Sequence, residues 1–500
     1  MRAELDYMGT SCTLALLQEN EWRRLCASYL LIAPADSIWR YSRAPAHGDL
    51  EQGWKLHISA TVLTANEVLR RVAPLLREHG VQFKAPSSLR ELQKINCGIF
   101  YGYSQVGKFI TVYPRSPVEA VSLARRLHEL TCGMTAPSVP FDLRFRPESC
   151  VYYRYGSFRH LEIEHPDSTR TPAMRDAEGR LIPDVRAAVT AKLDWVIDPF
   201  IEAGAEREAA LVESPLRTTF RAFQALTQRG KGGVYKALDL SVRPPRFCIL
   251  KEGRACGELT WDKRDGRWRV QHEENVLVAL CAAGIAVPRV YSSFEVEDNY
   301  YLVTELIDGE TLQSLLCRRR RRLDISRALL YGVRLASLIA RIHAAGWAWR
   351  DCKPTNIVVV SSGELRPLDF EGACPIEQPD PTPWGTMAFT PPRPFGGHAA
   401  RSSTHDLYAL GVIIYLLLSG RLPERAAPVA LVKLRRNVPA RAHKIITELL
   451  SADPLRQPNA MTVVEELMAA LSDLDELSPV RLLCAGRKCN PKMGRSAARG

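Results

Sequence analysis

Trp349-Arg350-Asp351-Cys352-Lys353-Pro354-Thr355-Asn356 is the stretch on which the reading of this chain turns. It sets a carboxylate, an ammonium group and a carboxamide within a few residues of one another. Asp351 suits the acceptance or orientation of a hydroxyl proton, Lys353 the neutralisation of a moving anion, and Asn356 the ligation of a metal ion. Downstream, Leu368-Asp369-Phe370-Glu371 offers a second metal ligand in Asp369. Upstream, Gly230-Lys231-Gly232-Gly233-Val234-Tyr235 lies between two strand patterns, and Gly230, Gly232 and Gly233 let backbone N–H groups approach phosphates. Lys251 ends the apolar strand Phe247-Cys248-Ile249-Leu250-Lys251 and supplies a cation for those phosphates. Its partner is expected on the next helix, in His272-Glu273-Glu274-Asn275-Val276-Leu277. Glu273 fits better than Glu274, because Leu277 and Leu280 then fall on the core-facing side behind it.

Any one of these features is weak, since glycine clusters are usually turns and charged residues usually solvated. Their order carries the weight. Moving a γ-phosphoryl group needs a glycine loop, a cation, two metal ligands and a group that orients the hydroxyl nucleophile. The stretch 349–356 resembles the protein-kinase catalytic loop H-R-D-x-x-x-x-N. Asp406-Leu407-Tyr408-Ala409-Leu410-Gly411 resembles the kinase helix that braces that loop, and Asp453-Pro454-Leu455-Arg456-Gln457-Pro458 the D-P-x-x-R-x-P signature. The resemblance implies a bilobal protein-kinase fold over 213–475, phosphorylation of Ser or Thr, and use of ATP (or another NTP) with Mg2+. A pseudokinase is disfavoured, because every residue expected to touch nucleotide or metal is present. Trp349 replaces the usual His, Glu371 replaces the Gly of D-F-G, and Gly385 to Pro392 lacks the Glu of A-P-E, so Arg456 must pair elsewhere. These departures bear on activation-loop regulation more than on phosphotransfer.

The N-terminal half reads as a separate mixed domain. Lys55-Leu56-His57-Ile58-Ser59 alternates polar and apolar residues, as a half-buried strand does, so Lys55 and His57 share one face. Lys84 in Phe83-Lys84-Ala85-Pro86, Lys108 at the head of a strand running to Tyr113, and Arg154 in a strand from Cys150 to Tyr155 add further cations. Taken singly, each is an exposed strand cation; together they could converge on one anionic group. Asn66 to His79 and Pro117 to Leu130 have helical spacing. Residues 1–50 read as short helices and loops, 161–185 as loop or hairpin, and 201–211 as an Ala/Glu-rich helix before the domain boundary.

Trp54 to Thr61, Gly107 to Pro114 and Val151 to Phe158 resemble the N-terminal lyase domain of class III lanthipeptide synthetases, and Asp369-Phe370-Glu371 resembles that family's kinase domain. The resemblance implies that the kinase phosphorylates Ser or Thr of a precursor peptide and that the lyase eliminates the phosphate to leave a dehydroamino acid. It implies Lys55 as the base taking the Cα proton, His57 as the acid at the leaving phosphate, and Lys84, Lys108 and Arg154 as phosphate ligands. Lysine is a base only when neutral, a form favoured by burial and neighbouring cations, and an Arg fork suits phosphate oxygens.

The expected architecture is therefore α+β in two domains: an N-terminal α/β lyase-like domain over 1–212, a bilobal kinase over 213–475, and a basic tail over 476–500. The family normally continues into a cyclase, and no zinc-ligand set follows the kinase here. Dehydration without ring formation is expected, with a separate cyclase as a partner. The composition is that of a soluble globular protein of 500 residues, 46% hydrophobic and 24% charged. The net charge of +12 favours anionic partners; with no nucleic-acid module present, phosphate chemistry accounts for it better than DNA or RNA. The 13 cysteines show no C-x-x-C or zinc spacing, no signal peptide opens the chain, and Leu407 to Leu418 is too short to span a membrane. A cytoplasmic protein with no membrane partner is expected. The Arg318 to Arg322 run reads as a solvated face or a hold on an acidic peptide. Two other readings remain: a plain Ser/Thr kinase whose N-terminal domain only recruits a peptide, and a non-catalytic scaffold.

Overall fold

The computed structural model describes residues 9–34, 36–159, 161–184, 193–202, 214–318, 322–380, 382, 384–392, 402–424, 428–451 and 453–476. The tail expected beyond 476 with Cys484 and Cys489, most of the helix expected over 201–211, and the middle of the arginine run lie outside those residues. The chain forms two compact units, Met1–Glu274 with Val290–Leu306, and Asn275–Arg289 with Ile307–Gly500. The first combines the N-terminal domain with the strands that follow it.

That domain is built on a six-stranded antiparallel sheet. Its strands are β1 (Trp39–Tyr41), β2 (Gln52–Ile58), β3 (Gln82–Pro86), β4 (Ile110–Tyr113), β5 (Leu143–Arg144) and β6 (Val151–Ser157), in the order β1-β3-β4-β2-β6-β5. Alternation sorts their side chains by face. Leu56, Ile58, Phe83, Val112, Val151 and Tyr153 join one apolar core, into which α2 (Ala65–Glu78) sends Val68, Leu69 and Val72, and α4 (Pro117–Thr131) sends Leu123 and Leu127. Ser116 caps α4 by accepting the Glu119 N–H at 3.1 Å, with Pro117 pre-set for the first turn. Between these helices, α3 (Leu89–Cys97) starts at the N-cap Ser88 and ends at Gly98. A further meander, β7 (Glu162–Glu164), β8 (Arg170–Arg175) and β9 (Leu181–Pro183), turns at Asp167, whose carboxylate accepts the Thr169 N–H.

One expectation is corrected here. Among the described residues of the first fifty there are not several short helices but one helix of 21 residues, α1 (Gly9–Tyr29). Trp22 and Cys26, four residues apart, lie on one stripe and are buried in the core. Leu16 and Leu17 of the same helix are exposed, so its apolar residues do not follow the buried stripe, which is why the sequence pattern hides it.

A second sheet completes the first unit. It comprises β10 (Phe220–Arg229), β11 (Gly232–Asp239), β12 (Arg246–Gly253), β13 (Val290–Val296) and β14 (Asn299–Glu305), ordered β10-β11-β12-β14-β13. α5 (Gly266–Ala282) follows β12 and carries Glu273.

The second unit is mainly helical, with α6 (Ile325–Ala344), α7 (Ser402–Ser419), α8 (Ala440–Leu449) and α9 (Ala460–Glu476). The run from Leu407 to Leu418 is buried within α7 except at the half-buried Leu416. Among the described residues no helix is long and apolar enough to cross a membrane. A small hairpin sets the chemistry: Ile357–Val359 pairs antiparallel with Leu365–Pro367. Asn356 enters the first strand and Asp369 leaves the second, and the Leu368 N–H donates to the Asn356 carbonyl at 2.8 Å.

Candidate active sites

In the N-terminal domain, the face of the sheet opposite the apolar core carries the cations. The register aligns Lys84 with Thr111, Thr111 with His57, His57 with Tyr152, and Tyr152 with Arg144, so these side chains form one row across five strands. Lys55 lies opposite Arg154 one step along the same face. Lys84, Lys55, His57 and Arg154 thus stand on strands of one sheet, whereas Lys108, expected at the head of a strand, lies in the loop just before β4. They are withdrawn from water: Lys55 is 8%, His57 4%, Lys108 4% and Arg154 8% exposed. Holding charge at such sites costs several kcal/mol per ion unless counter-charge is supplied.

The protein supplies some of it through residues that sequence reasoning missed. Asp142, wholly buried in the loop before β5, binds His57 Nδ1 through Oδ2 and lies 3.2 Å from Lys108 Nζ through Oδ1. Asp184 pairs with the Arg154 guanidinium. A Cβ on Gly156 would lie 3.1 Å from Arg154 Nη2, so glycine makes room for the guanidinium. Lys84 is placed differently, with Nζ 4.3 Å above the Trp39 ring. Lys55, Lys84, Lys108, Arg144 and Arg154 outweigh Asp142 and Asp184, which leaves the pocket electropositive.

Burial drives the pKa of His57 down to about 3; Lys108 and Lys55 push the same way and only Asp142 opposes them. The imidazole is therefore neutral at pH 7, and its contact with Asp142 assigns the ring proton to Nδ1. The lone pair on Nε2 is then the group on offer. No periodic signal marks Asp142, which follows Pro140 in an irregular segment where Phe141 adopts a φ of 67°. Tyr152 and Arg144 were accessible to the same face argument that joined Lys55 to His57.

In the second sheet, Lys251 Nζ lies 2.5 and 2.6 Å from the two Glu273 carboxylate oxygens. Glu274 turns elsewhere, accepting from Ser293 and from the Tyr300 hydroxyl. Gly232 and Gly233 begin β11 opposite Arg229 and Gln228, and the Gly230 N–H is already donated to the Cys97 carbonyl at 2.9 Å.

In the second unit, the loop 349–356 is fixed from below by Asp406. Its carboxylate accepts the Trp349 N–H at 2.8 Å and the Arg350 N–H at 2.7 Å, and meets His343 Nε2 at 2.9 Å. Trp349 fills the position where a histidine was expected. Its indole N–H donates to the Asp369 carbonyl at 3.0 Å and its ring stacks on Phe370. The replacement keeps a donor aimed at the metal-ligand segment. Arg350 and Asp369 have φ of 68° and 63°, a left-handed conformation that non-glycine residues hold at a cost.

Above this base, Lys353 Nζ donates to Asp351 Oδ2 at 2.7 Å and to Thr386 Oγ1 at 3.0 Å. Asn356 Nδ2 donates to the Asp351 carboxylate at 3.1 Å, while the Asn356 oxygen accepts the Thr355 hydroxyl at 3.4 Å and has a second lone pair for a cation. Burial raises the Asp351 carboxyl above its ordinary pKa, while Lys353 works to lower it. Carboxylate oxygens of Asp369 and Glu371 lie within 4.8 Å of each other, a pair of hard oxygen donors suited to a divalent cation. Glu371, the departure from D-F-G, thus adds a donor. Arg350 Nη1 faces Asp380 Oδ2 at 3.4 Å, and its other nitrogen donates to the Thr382 carbonyl.

Comparisons with known proteins agree with this division. Residues 32–211 match the family described as "RamC, N-terminal domain", and residues 259–468 match "Protein kinase domain". The "Probable SapB synthase" of Streptomyces coelicolor is 30% identical over 392 residues, 76% of this chain and 41% of that protein. Serine/threonine-protein kinase PrkC of Bacillus subtilis is 28% identical over 210 residues, covering 38% of this chain and 32% of the kinase. PknA of Mycobacterium tuberculosis is 33% identical over 163 residues, covering 31% and 37%. The chain thus spans less than half the length of each of these relatives.

Proposed function

We propose, on the premise that this chain carries a RamC N-terminal domain followed by a protein kinase domain, that it dehydrates Ser and Thr residues of a ribosomal precursor peptide in two steps. The kinase domain transfers the γ-phosphoryl group of ATP to the peptide hydroxyl. The N-terminal domain, which we bound at 1–212, then eliminates the phosphate. The observation that carries the second step is the buried row of cations around His57, with Asp142 fixing the imidazole.

In the first step, the substrate hydroxyl hydrogen-bonds to Asp351, which takes its proton as the oxygen attacks phosphorus and ADP leaves. Lys353 sits between Asp351 and the incoming group and offsets charge on the transferring phosphoryl. Lys251, oriented by Glu273, with the glycine hairpin at Gly230, Gly232 and Gly233, addresses the nucleotide phosphates. Asn356 and Asp369, joined by Glu371, have the oxygen donors to hold Mg2+, which would neutralise charge on those phosphates.

In the second step, Lys55 removes the Cα proton. The C–H electrons form the Cα=Cβ bond, the Cβ–O bond breaks, and phosphate departs with that electron pair. His57 protonates the leaving oxygen, having drawn its own proton from the bound phosphomonoester, whose second pKa is about 6. Lys84, Lys108 and Arg154 balance the charge that builds on phosphate. Phosphate leaves far more readily than hydroxide, which gives a reason for the two activities to share a chain. Closing thioether rings on the dehydrated residues needs chemistry that neither domain supplies and falls to a cyclase. Cys26, Cys97, Cys150, Cys248, Cys352 and Cys374 are among the free thiols of the structure, in keeping with the reducing cytoplasm in which we place the protein.

The test is elimination from a synthetic phosphothreonine peptide without nucleotide. Release of inorganic phosphate with formation of dehydrobutyrine is expected. An unchanged phosphopeptide would leave a Ser/Thr kinase with a recruiting N-terminal domain.

Two narrower outcomes follow from the geometry. Asp142→Asn is expected to slow elimination by about 10²-fold, the lower range for loss of an acid's contribution. The Asp142 charge raises the His57 pKa. Its removal lowers the proton affinity of His57 and of the bound phosphate that shares the catalytic proton with it, so the alkaline limb of the kcat profile moves to lower pH. Lys353→Ala is expected to reduce phosphorylation about 10²-fold. Because Lys353 holds down an Asp351 pKa that burial has raised, the acid limb of phosphorylation shifts to higher pH. Both are read from pH–rate profiles of the separate half-reactions.

A further inference from the structure

The β10–β11 turn that carries the nucleotide-binding glycines is seated on the N-terminal domain. α3 ends at Cys97, and Gly98 turns the chain with a φ of 74°. The carbonyls of a last helical turn lack helical partners, and that of Cys97 accepts the Gly230 N–H. A Cβ on Gly230 would run into the Asn96 carbonyl oxygen, so only glycine permits this backbone-to-backbone approach. The seat extends further. The Lys231 carbonyl accepts the Arg254 N–H at 2.9 Å, the Arg254 guanidinium lies 4.8 Å over the Tyr103 ring, and Trp261 packs against the core of the six-stranded sheet.

Asn96 itself is only 5% exposed, and its side chain works in the opposite direction from its carbonyl. Nδ2 donates to the Ala60 carbonyl at 3.0 Å, and Oδ1 accepts the Gly107 N–H at 3.1 Å. Ala60 lies on the segment running out of β2 from His57, and Gly107 immediately precedes Lys108. One buried carboxamide thus ties together the two segments that carry His57 and Lys108. Its own backbone abuts the glycine hairpin.

We propose that Asn96 is a positioning residue shared by both half-reactions, so that the seating of the glycine hairpin and the placement of Lys108 are coupled. The inference rests on the functional reading above, which gives the hairpin to nucleotide phosphates and Lys108 to the leaving phosphate. A displacement of about 1 Å in a positioned group can cost about 10²-fold in rate, so a small movement of the hairpin is enough to be felt in the pocket. Such coupling is reciprocal for binding.

The experiment uses the full chain and two variants, Gly230→Ala and Asn96→Ala. Hydrogen–deuterium exchange is followed over 94–110 with and without a non-hydrolysable ATP analogue. Elimination from a phosphothreonine peptide is followed separately, without nucleotide. The wild type is expected to exchange several-fold more slowly across 94–110 when the analogue binds, and Gly230→Ala to lose that response. Gly230→Ala is also expected to slow elimination about tenfold although it lies outside the lyase pocket, and Asn96→Ala to weaken analogue binding although it lies outside the kinase site. Exchange over 94–110 that ignores the analogue in the wild type overturns the coupling, as does a Gly230→Ala variant with undiminished elimination. If the wild type eliminates nothing, it is the lyase reading that fails, and the exchange response alone decides the coupling.

Discussion

Lys55→Ala is expected to stop the reaction at the phosphopeptide. Elimination should fall by about 10²–10⁴-fold, the contribution of a positioned general base, while phosphoryl transfer continues at its original rate. The reason lies in the row structure of the sheet. Lys55 is buried opposite Arg154 and shares a face with His57, and His57, the other titratable residue of β2 on that face, is committed to the leaving phosphate. Removing it leaves the cationic pocket able to bind a phosphorylated side chain but without a group to take the Cα proton. The phosphopeptide should therefore accumulate, seen in mass spectra as phosphoryl gain without water loss. A Lys55→Ala variant that still dehydrates would assign the base elsewhere.

Asp369→Asn is expected to do the reverse. Phosphorylation should fall by about 10³-fold, because one of the two carboxylate charges among the proposed metal ligands is lost. Elimination from a synthetic phosphothreonine peptide should keep its rate, since the N-terminal pocket holds its own cations. Asparagine is the apt replacement because Asp369 has a left-handed φ of 63°, which Asn tolerates better than most residues. The backbone that receives the Trp349 indole N–H then keeps its course, and the variant isolates the charge. Measured side by side, the two variants should each lose one half-reaction and keep the other. Loss of both activities in both variants would contradict the division of labour.

How much of this was legible in the sequence depends on how local each signal is. The catalytic loop was readable because Asp351, Lys353 and Asn356 fall within one short segment, and because chain order placed Lys251, Glu273 and Asp369 around it. Three strands of the N-terminal sheet, β2, β4 and β6, were readable, and alternation in the first of them gave the face shared by Lys55 and His57. What stayed hidden was held by irregular backbone. Asp142 sits in a loop with no period to betray it, yet it binds both His57 and Lys108. Asp184 reaches Arg154 from a segment far along the chain. Helix α1 buries Trp22 and Cys26 but exposes Leu16 and Leu17, so its apolar residues give no clean helical period. Trp349 could be seen as a departure, but only the bond from its indole N–H to the Asp369 carbonyl shows what the departure preserves. The Asn96 bracket was invisible for the same reason: its partners Ala60, Gly107 and Gly230 are backbone groups brought together by the fold.

The most direct test of the central claim is mass spectrometry of a candidate precursor peptide incubated with the purified protein, nucleotide and Mg2+. Loss of water at Ser or Thr, with phosphorylated peptide appearing only as a transient, is the predicted result. Stable gain of phosphoryl groups with no loss of water would contradict it.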